Sequence, residues 1–424
     1  MERIDYRYLR PKKAGALKKW YCEPLSRVET PEIWQGRNAV LLPLRPEQGL
    51  LFGRGGVVDE KGDYVALSAI PRRVEGSYPF EKPAYMDQKV VYCGYLVNQW
   101  GHFLVEGVAR LWYFLENDPT IDKYVFLLNQ GQPREIKGNY REFFRLLGIL
   151  DKLEFISEPT AYREVVIPQR AFQCRQDWSP KFLDIFDTVA ANAASDPGWD
   201  APEKIFFSRS QLQKGSGFEF GLEILDDFFA RNGYTILYPE KVSLERMIFY
   251  IRNAKAVATF SGSLPHNMLF AKNGQRVEIV ERCVLNNDFQ VCVNKMRELN
   301  AVYIDANLPL YPVDMCGPFL MTDNDILERF AEDQGYVSPD ARFRSRKYLK
   351  KCFRDYMASY QDMYRYQWFM DDWYMDHVDY LWEGYQAGRR QFGEYLSGKR
   401  PFRWHHYLEF HYWKQFIKRL LGRE

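Results

Sequence analysis

Between Lys204 and Glu281 the apolar positions fall in short runs that alternate with amphipathic stretches, and this pattern organises the chain. Ile205 to Phe207 is an apolar run ending in Ser208-Arg209-Ser210, and it predicts a strand. Helical spacing follows around Phe220 to Arg231 and is stopped by Asn232-Gly233. A second strand is predicted over Tyr234 to Tyr238, then a helix capped by Ser243 and running to about Asn253. Ala256 to Phe260 reads as a third strand that enters Ser261-Gly262-Ser263-Leu264-Pro265-His266-Asn267, where the next helix starts, and Arg276 to Glu281 as the last. Strands alternating with helices make a parallel, doubly wound sheet, and such sheets bind ligands at the carboxyl ends of their strands. The strand ends here carry small, polar or charged groups suited to a phosphate or a ribose, so the stretch predicts a nucleotide site.

The flanking pattern is less regular. Residues 1 to 37 are polar and proline-punctuated and predict a segment wrapped over the surface. Ala39 to Leu42, Gly49 to Phe52 and Tyr64 to Ala69 are short apolar runs between glycine-rich turns, the mark of an antiparallel meander. Lys89 to Cys93 predicts a buried strand leading through Gly94-Tyr95 to the stretch Asn98 to Trp112. A strand at Tyr124 to Leu128, a helix around Tyr140 to Leu147, a strand near Glu164 to Ile167 and a helix near Pro180 to Ala194 follow, and Ser195-Asp196-Pro197-Gly198 reads as a linker. Beyond the organised stretch come a helix, Phe289 to Leu299, and a strand, Ala301 to Ile304. From about Asp323 the chain is rich in Tyr, Trp, Arg and Asp, and Phe343 to Leu421 reads as helices interrupted at Gly384, Gly388 and Lys399-Arg400-Pro401. The expected class is α/β, with domains at 1–195 and 200–322 and a helical extension at 323–424.

Composition narrows the picture. A chain of 424 residues exceeds one ordinary core, and 17% aromatic residues suit stacking surfaces or aromatic cores. The formal charge of +2 argues against a general nucleic-acid binder. Seven scattered cysteines with no C-x-x-C pair suit a reducing cytoplasm. Met1-Glu2-Arg3-Ile4-Asp5 lacks the apolar core of a signal peptide, and no run of about 18 apolar residues occurs, so a cytoplasmic chain that does not span a membrane is expected.

Two stretches carry candidate chemistry. His102, Glu106 and Arg110 are spaced four apart, along one face of a helix flanked by Leu104, Val108, Leu111 and Leu115. The plain reading is a Glu106–Arg110 ion pair with His102 near the helix start. The functional reading is a general base, His102 or Glu106, aimed at a cleft to deprotonate a hydroxyl. Arg209, directly after a strand, reads either as a surface arginine or as a diphosphate contact. Ser261-Gly262-Ser263 offers close backbone approach for an anion at a helix start, or an ordinary cap by Ser263. Glu278 or Glu281 would hold ribose hydroxyls, or be solvated strand-end charges.

Together these stretches resemble glycosyltransferase family 61. The family's H-[WF]-L-x-E-x-[LVI]-x-R-L type helix is matched by His102 to Leu111, its strand ending in S-R by Ser208-Arg209, and its G-x-H-G-A-G-L-T-N-x-[LM]-F type loop by Ser261 to Phe270. Where the family's loop has a histidine this chain has Ser261, and Pro265-His266 replaces leucine-threonine, with His266 the substitute on the next turn. The resemblance implies a GT-B-like pair of Rossmann-like domains, with the donor in the second domain and the acceptor against the first. It also implies inversion at the anomeric carbon and no obligatory metal or other cofactor. On that reading Glu106 or His102 is the base and Arg110 orders it, while Ser208, Arg209, Ser261, Gly262, Ser263, His266 and Asn267 hold the nucleotide sugar. The acceptor would be a glycan, lipid-linked in one version, in surface or capsular polysaccharide synthesis. The alternative is a catalytically silent relative that binds glycan or nucleotide as an assembly partner; a third reading is a nucleotide-sugar epimerase.

Other signals point elsewhere. Gly215 to Gly221 sits too far from Ser208 for a dinucleotide fingerprint, and Asp323-Asn324-Asp325 suits an aspartate helix cap better than a metal-binding D-x-D. His377, His405, His406 and His411 show no zinc spacing. The helix predicted from Trp404 to Leu421 is basic and amphipathic, and either lies on the inner membrane face as a peripheral contact or packs back on the enzyme. The Tyr and Trp residues from Tyr356 to Tyr385 would line an acceptor groove.

Overall fold

A computed structural model describes residues 3–47, 53–71, 73–193, 198–212, 219–283, 285–308 and 317–364. The run Gly49 to Phe52, most of the linker at 195–198, the start of the glycine-rich stretch at 215–221, and the four C-terminal histidines with the helix from Trp404 to Leu421 lie outside these residues.

The first element already departs from the expectation for residues 1–37. Ile4–Tyr8 is a strand and Pro11–Cys22 a helix, and neither is a surface wrap. The strand pairs in parallel with Asn300–Ile304, so the start of the chain completes the sheet built by its second half. Polarity misled because Lys13, on the same helix as the core residue Leu17, is fully buried with its ammonium 2.6 Å from Glu281 and bonded to the Cys283 carbonyl.

The first half forms a six-stranded mixed sheet in the order Arg54–Val58, Ile33–Arg45, Thr160–Pro168, Ala84–Tyr95, Lys123–Leu127, Leu153–Ile156. Its leading strands pair antiparallel and its last ones parallel. Tyr64 to Ala69 is not a strand; it makes a bridge at Tyr64 and a 3-10 turn at Ala66–Ser68.

The second half is the parallel sheet that the sequence pattern predicts. Its order is Ile4–Tyr8, Asn300–Ile304, Arg276–Val280, Ala256–Phe260, Lys204–Phe207, Thr235–Leu237, with every pairing parallel. Strands covered on both faces carry continuous apolar runs, and every residue of Ala256–Phe260 is buried. Chain order reverses between Lys204–Phe207 and Ala256–Phe260, which makes the gap between their carboxyl ends the topological switch point.

One hydrophobic core joins the two sheets. Phe103 packs on Phe143 at 5.3 Å between ring centres, Phe143 on Phe186 at 6.0 Å, and Phe186 on Phe270 at 5.3 Å, so rings from both halves form one chain of edge-to-face contacts. Arg297 adds an ion pair to Asp187 at 3.0 Å. The described residues up to Asn307 and from Gly317 onward accordingly belong to a single compact unit. Among the described residues no helix is long and apolar enough to cross a membrane.

Burial works against the Lys13 charge, yet Glu281 and Asp305 hold its pKa above the usual lysine value. Lys13→Ala leaves Glu281 without its cation, while Asp305 keeps Arg10 at 3.4 Å, and removing one partner of a buried pair costs about 3–5 kcal/mol. A clear drop in melting temperature is expected; an unchanged one would show that the pair contributes no net stability.

Candidate functional site

The segment expected to be one helix is three kinds of turn in succession. An α turn at Trp100–His102 widens into a π-helical stretch, Phe103–Gly107, and Leu111–Glu116 tightens into 3-10. Such π stretches inside helices often mark functional sites. From Gly101 to Arg110 every residue is buried except His102 and Glu106, which are partly exposed. Their side chains meet, His102 Nδ1 lying 2.8 Å from Glu106 Oε2. With Nδ1–H given to the carboxylate, the lone pair of the neutral ring sits on Nε2, the arrangement of a base oriented by an acid.

Arg110 leaves that line once the helical pitch changes. Its guanidinium is buried, donates to the carbonyls of Pro168, Leu67 (2.7 Å) and Ala69 (3.2 Å), and lies 5.3 Å above the Tyr92 ring. Burial without a carboxylate partner lowers its pKa to about 10. The Glu106–Arg110 ion pair of the plain reading is therefore not formed, and Arg110 does not touch the base it was expected to order. It ties the end of Thr160–Pro168 to the turn around Ala66–Ser68.

The loop after Ala256–Phe260 faces this helix directly. A Cβ on Gly101 would lie 2.6 Å from Ser263 Oγ and 3.1 Å from His266 Cδ2, so only glycine lets the two segments approach. Trp100 Nε1 donates to Asn267 Oδ1 at 3.0 Å, and Phe289 stands edge-on to both His102 (5.5 Å) and His266 (6.3 Å). The expected helix is a seven-residue 3-10 stretch, Leu264–Phe270, with Pro265 in its first turn and no side-chain cap from Ser263. A helix macrodipole therefore places no positive charge at this loop. The positive charge beside it comes from arginine.

Arg209 follows Lys204–Phe207 and lies 2.9 Å from Glu219 Oε1. Burial lowers its pKa, opposed by Glu219 and reinforced by Arg282. Arg282, which the sequence reading missed, reaches the same oxygen at 2.6 Å. The signal for it was present, because it follows its strand as closely as Arg209 follows the first. Ser208 is buried and accepts from the Ser210 amide. Ser261 accepts from the Arg282 amide at 3.2 Å, and Ser261, Gly262 and Ser263 are partly exposed.

Other expected ligand contacts are engaged within the fold. Asn267 is buried between Trp100 and the Leu264 carbonyl. Glu278 accepts from Tyr234 (2.7 Å) and Arg276 (2.9 Å), groups at the amino end of the sheet, and Glu281 holds Lys13. Neither carboxylate is a solvated charge. Asp323 binds Arg344 at 2.5 Å while Asn324, not an aspartate, caps Asp325–Gln334.

His266 is set by a buried polar chain. Gln290 Oε1 lies 2.9 Å from His266 Nδ1, Gln290 Nε2 donates to Asn294 Oδ1 (2.7 Å), and the Asn294 amide donates to the Tyr21 and Tyr303 hydroxyls. That direction fixes Nδ1 as the protonated nitrogen. Burial lowers the His266 pKa to about 4, against the bond to Gln290.

These motifs lie within one matched segment: the family model described as Glycosyltransferase 61 covers residues 100–277. This chain carries a glycosyltransferase family 61 domain. The family 61 segment takes in His102, Glu106, Arg209 and the loop from Ser261, whereas Arg282 lies just past its end. No curated protein matches the chain.

A neutral buried His266 gives a signed pH dependence. Its folded pKa lies below the ordinary value of 6.5, so its contribution to stability is complete above pH 6.5, falls as the pH drops toward about 4, and is lost below that. The loss is roughly 3 kcal/mol at most. His266→Gln should flatten the melting-temperature profile in that window. Gly101→Ala should lower the melting temperature by forcing Ser263 away, and adding Ser263→Gly should restore part of it; a Gly101→Ala protein as stable as its parent would refute the close approach.

Proposed function

We propose that the chain transfers a sugar from a nucleotide-sugar donor to a hydroxyl of a glycan, with inversion. The observation that supports this most is the juxtaposition of the His102–Glu106 pair with the Ser261–Ser263 loop, since the loop ends the central strand at the switch point. Ligands of doubly wound sheets bind outside that point.

In this reading the donor's diphosphate lies against Arg209 and the backbone of the Gly262 loop, in the second half of a GT-B-like pair. The acceptor hydroxyl approaches from the His102 side. Its proton passes to Nε2 of His102 as its oxygen bonds the anomeric carbon. The bond from that carbon to the diphosphate oxygen breaks, and the electron pair leaves with the diphosphate. Glu106 holds the ring and stabilises the imidazolium. Arg209 meets the charge that grows on the leaving group.

The test is release of nucleoside diphosphate from a panel of nucleotide sugars offered with glycan acceptors. Removing a general base lowers turnover by about 10²–10⁴-fold, so His102→Ala should show a loss of that order. Glu106→Gln should lower kcat while leaving KM for the donor near the parent value. If both variants turn over like the parent, the base assignment is wrong.

A further inference from the structure

The central strand Ala256–Phe260 is flanked by Arg276–Val280 and Lys204–Phe207, and the chain leaves each of these flanking strands through an arginine two residues on. Arg282 and Arg209 turn toward each other across the end of the central strand and share one oxygen of Glu219, at 2.6 and 2.9 Å. Exposure is low for all three side chains: 9% for Arg282, 18% for Arg209 and 5% for Glu219. Two cations converge on one carboxylate oxygen where the dielectric is low, with Glu240 acting on Arg209 from outside the pair.

The donors of this cluster are poorly used. The buried Nε of Arg282 makes no hydrogen bond among the described residues, and Arg209 Nε, although 2.9 Å from Glu219, lies outside hydrogen-bond geometry. A guanidinium is a planar fork that pairs best with two oxygens at once, whereas here two forks compete for one atom. Gly262 completes the arrangement. Its φ is +123°, and a Cβ there would sit 2.4 Å from Arg282 Nη2, so the guanidinium lies against the bare backbone of the loop. Glu219 is fixed by a short ribbon in which Glu219 pairs with Phe319, and the Arg282 guanidinium stacks 4.6 Å from the Phe319 ring.

We propose that Glu219 is an internal stand-in for the donor's diphosphate, and that Arg282 and Arg209 form a two-arginine clamp from which the diphosphate displaces it. This rests on the donor site of the proposed function and adds to it a second arginine and a built-in competitor. A diphosphate brings oxygens on two phosphorus atoms, enough to engage both forks, which a single carboxylate oxygen cannot. Glu219 keeps the clamp assembled while it is empty. It also weakens the hold on the nucleoside diphosphate product, because release is rewarded by return of the carboxylate.

Calorimetric titration of the full chain tests this with uridine, cytidine, guanosine and thymidine diphosphates, the nucleoside of the tightest binder, and inorganic pyrophosphate. Arg282→Gln should weaken diphosphate binding roughly 10- to 100-fold, the range of a charged hydrogen bond, and leave nucleoside binding unchanged. Glu219→Gln should tighten diphosphate and pyrophosphate binding, and lower kcat through slower product release. A Glu219→Gln protein that binds diphosphate no better than the parent overturns the stand-in role. Should that variant not fold, Arg282→Gln still decides, since equal losses for nucleoside and diphosphate, or none, overturn the clamp. If the parent binds none of the diphosphates, the donor site itself is refuted. If the parent binds and Arg209→Gln does not, while Arg282→Gln and Glu219→Gln match the parent, only the present inference fails.

Discussion

The contact between Gly101 and Ser263 is the constraint on which the rest of the site depends. A backbone without a Cβ lets the helix start of the first half rest on the loop that ends the central strand of the second. Trp100 and Asn267 lock the approach with a hydrogen bond, and the aromatic chain from Phe103 to Phe270 fills the space behind it. The His102–Glu106 pair and the arginine-bearing strand ends are thereby held by one core. Such a shared core limits relative movement of the halves far more than a polar interface would.

Ionisable groups in this protein meet burial in three ways. Lys13, Glu281 and Asp305 satisfy one another at the sheet edge and bind the first helix of the chain to the last strands. Arg209 and Arg282 are less well satisfied, since they share a single carboxylate oxygen. A well-paired buried cluster gives stability and shape. An under-paired one gives a place where an anion gains by binding. His266 is a third case, kept neutral by burial and held in one tautomer by Gln290 and Asn294.

The alternation of apolar runs with helical stretches was enough to determine the parallel sheet, because a strand buried on both faces must be apolar throughout and its crossovers must be amphipathic. The same logic located the strand ends at Ser208-Arg209 and Ser261-Gly262-Ser263. The i, i+4 spacing was enough to bring His102 to Glu106. Extending that spacing to Arg110 failed, since the π stretch Phe103–Gly107 changes the pitch, and pitch depends on what the helix packs against.

Tertiary structure alone decided the rest. Lys13 looked like a surface residue because a sequence shows a charge but not the opposite charges that will meet it, and those lie far along the chain in Glu281, 268 positions away, and in Asp305 beyond it. Glu278 lies within Arg276–Val280 and Glu281 directly follows it, and the two looked alike, yet one faces Tyr234 and Arg276 at the amino end while the other faces Lys13. The convergence of Arg209 and Arg282 on Glu219 required two strands to end on either side of a third, within reach of a ribbon outside their sheet. Periodicity fixes which face a residue takes within its own element; the partners across space are set by the order in which the strands assemble.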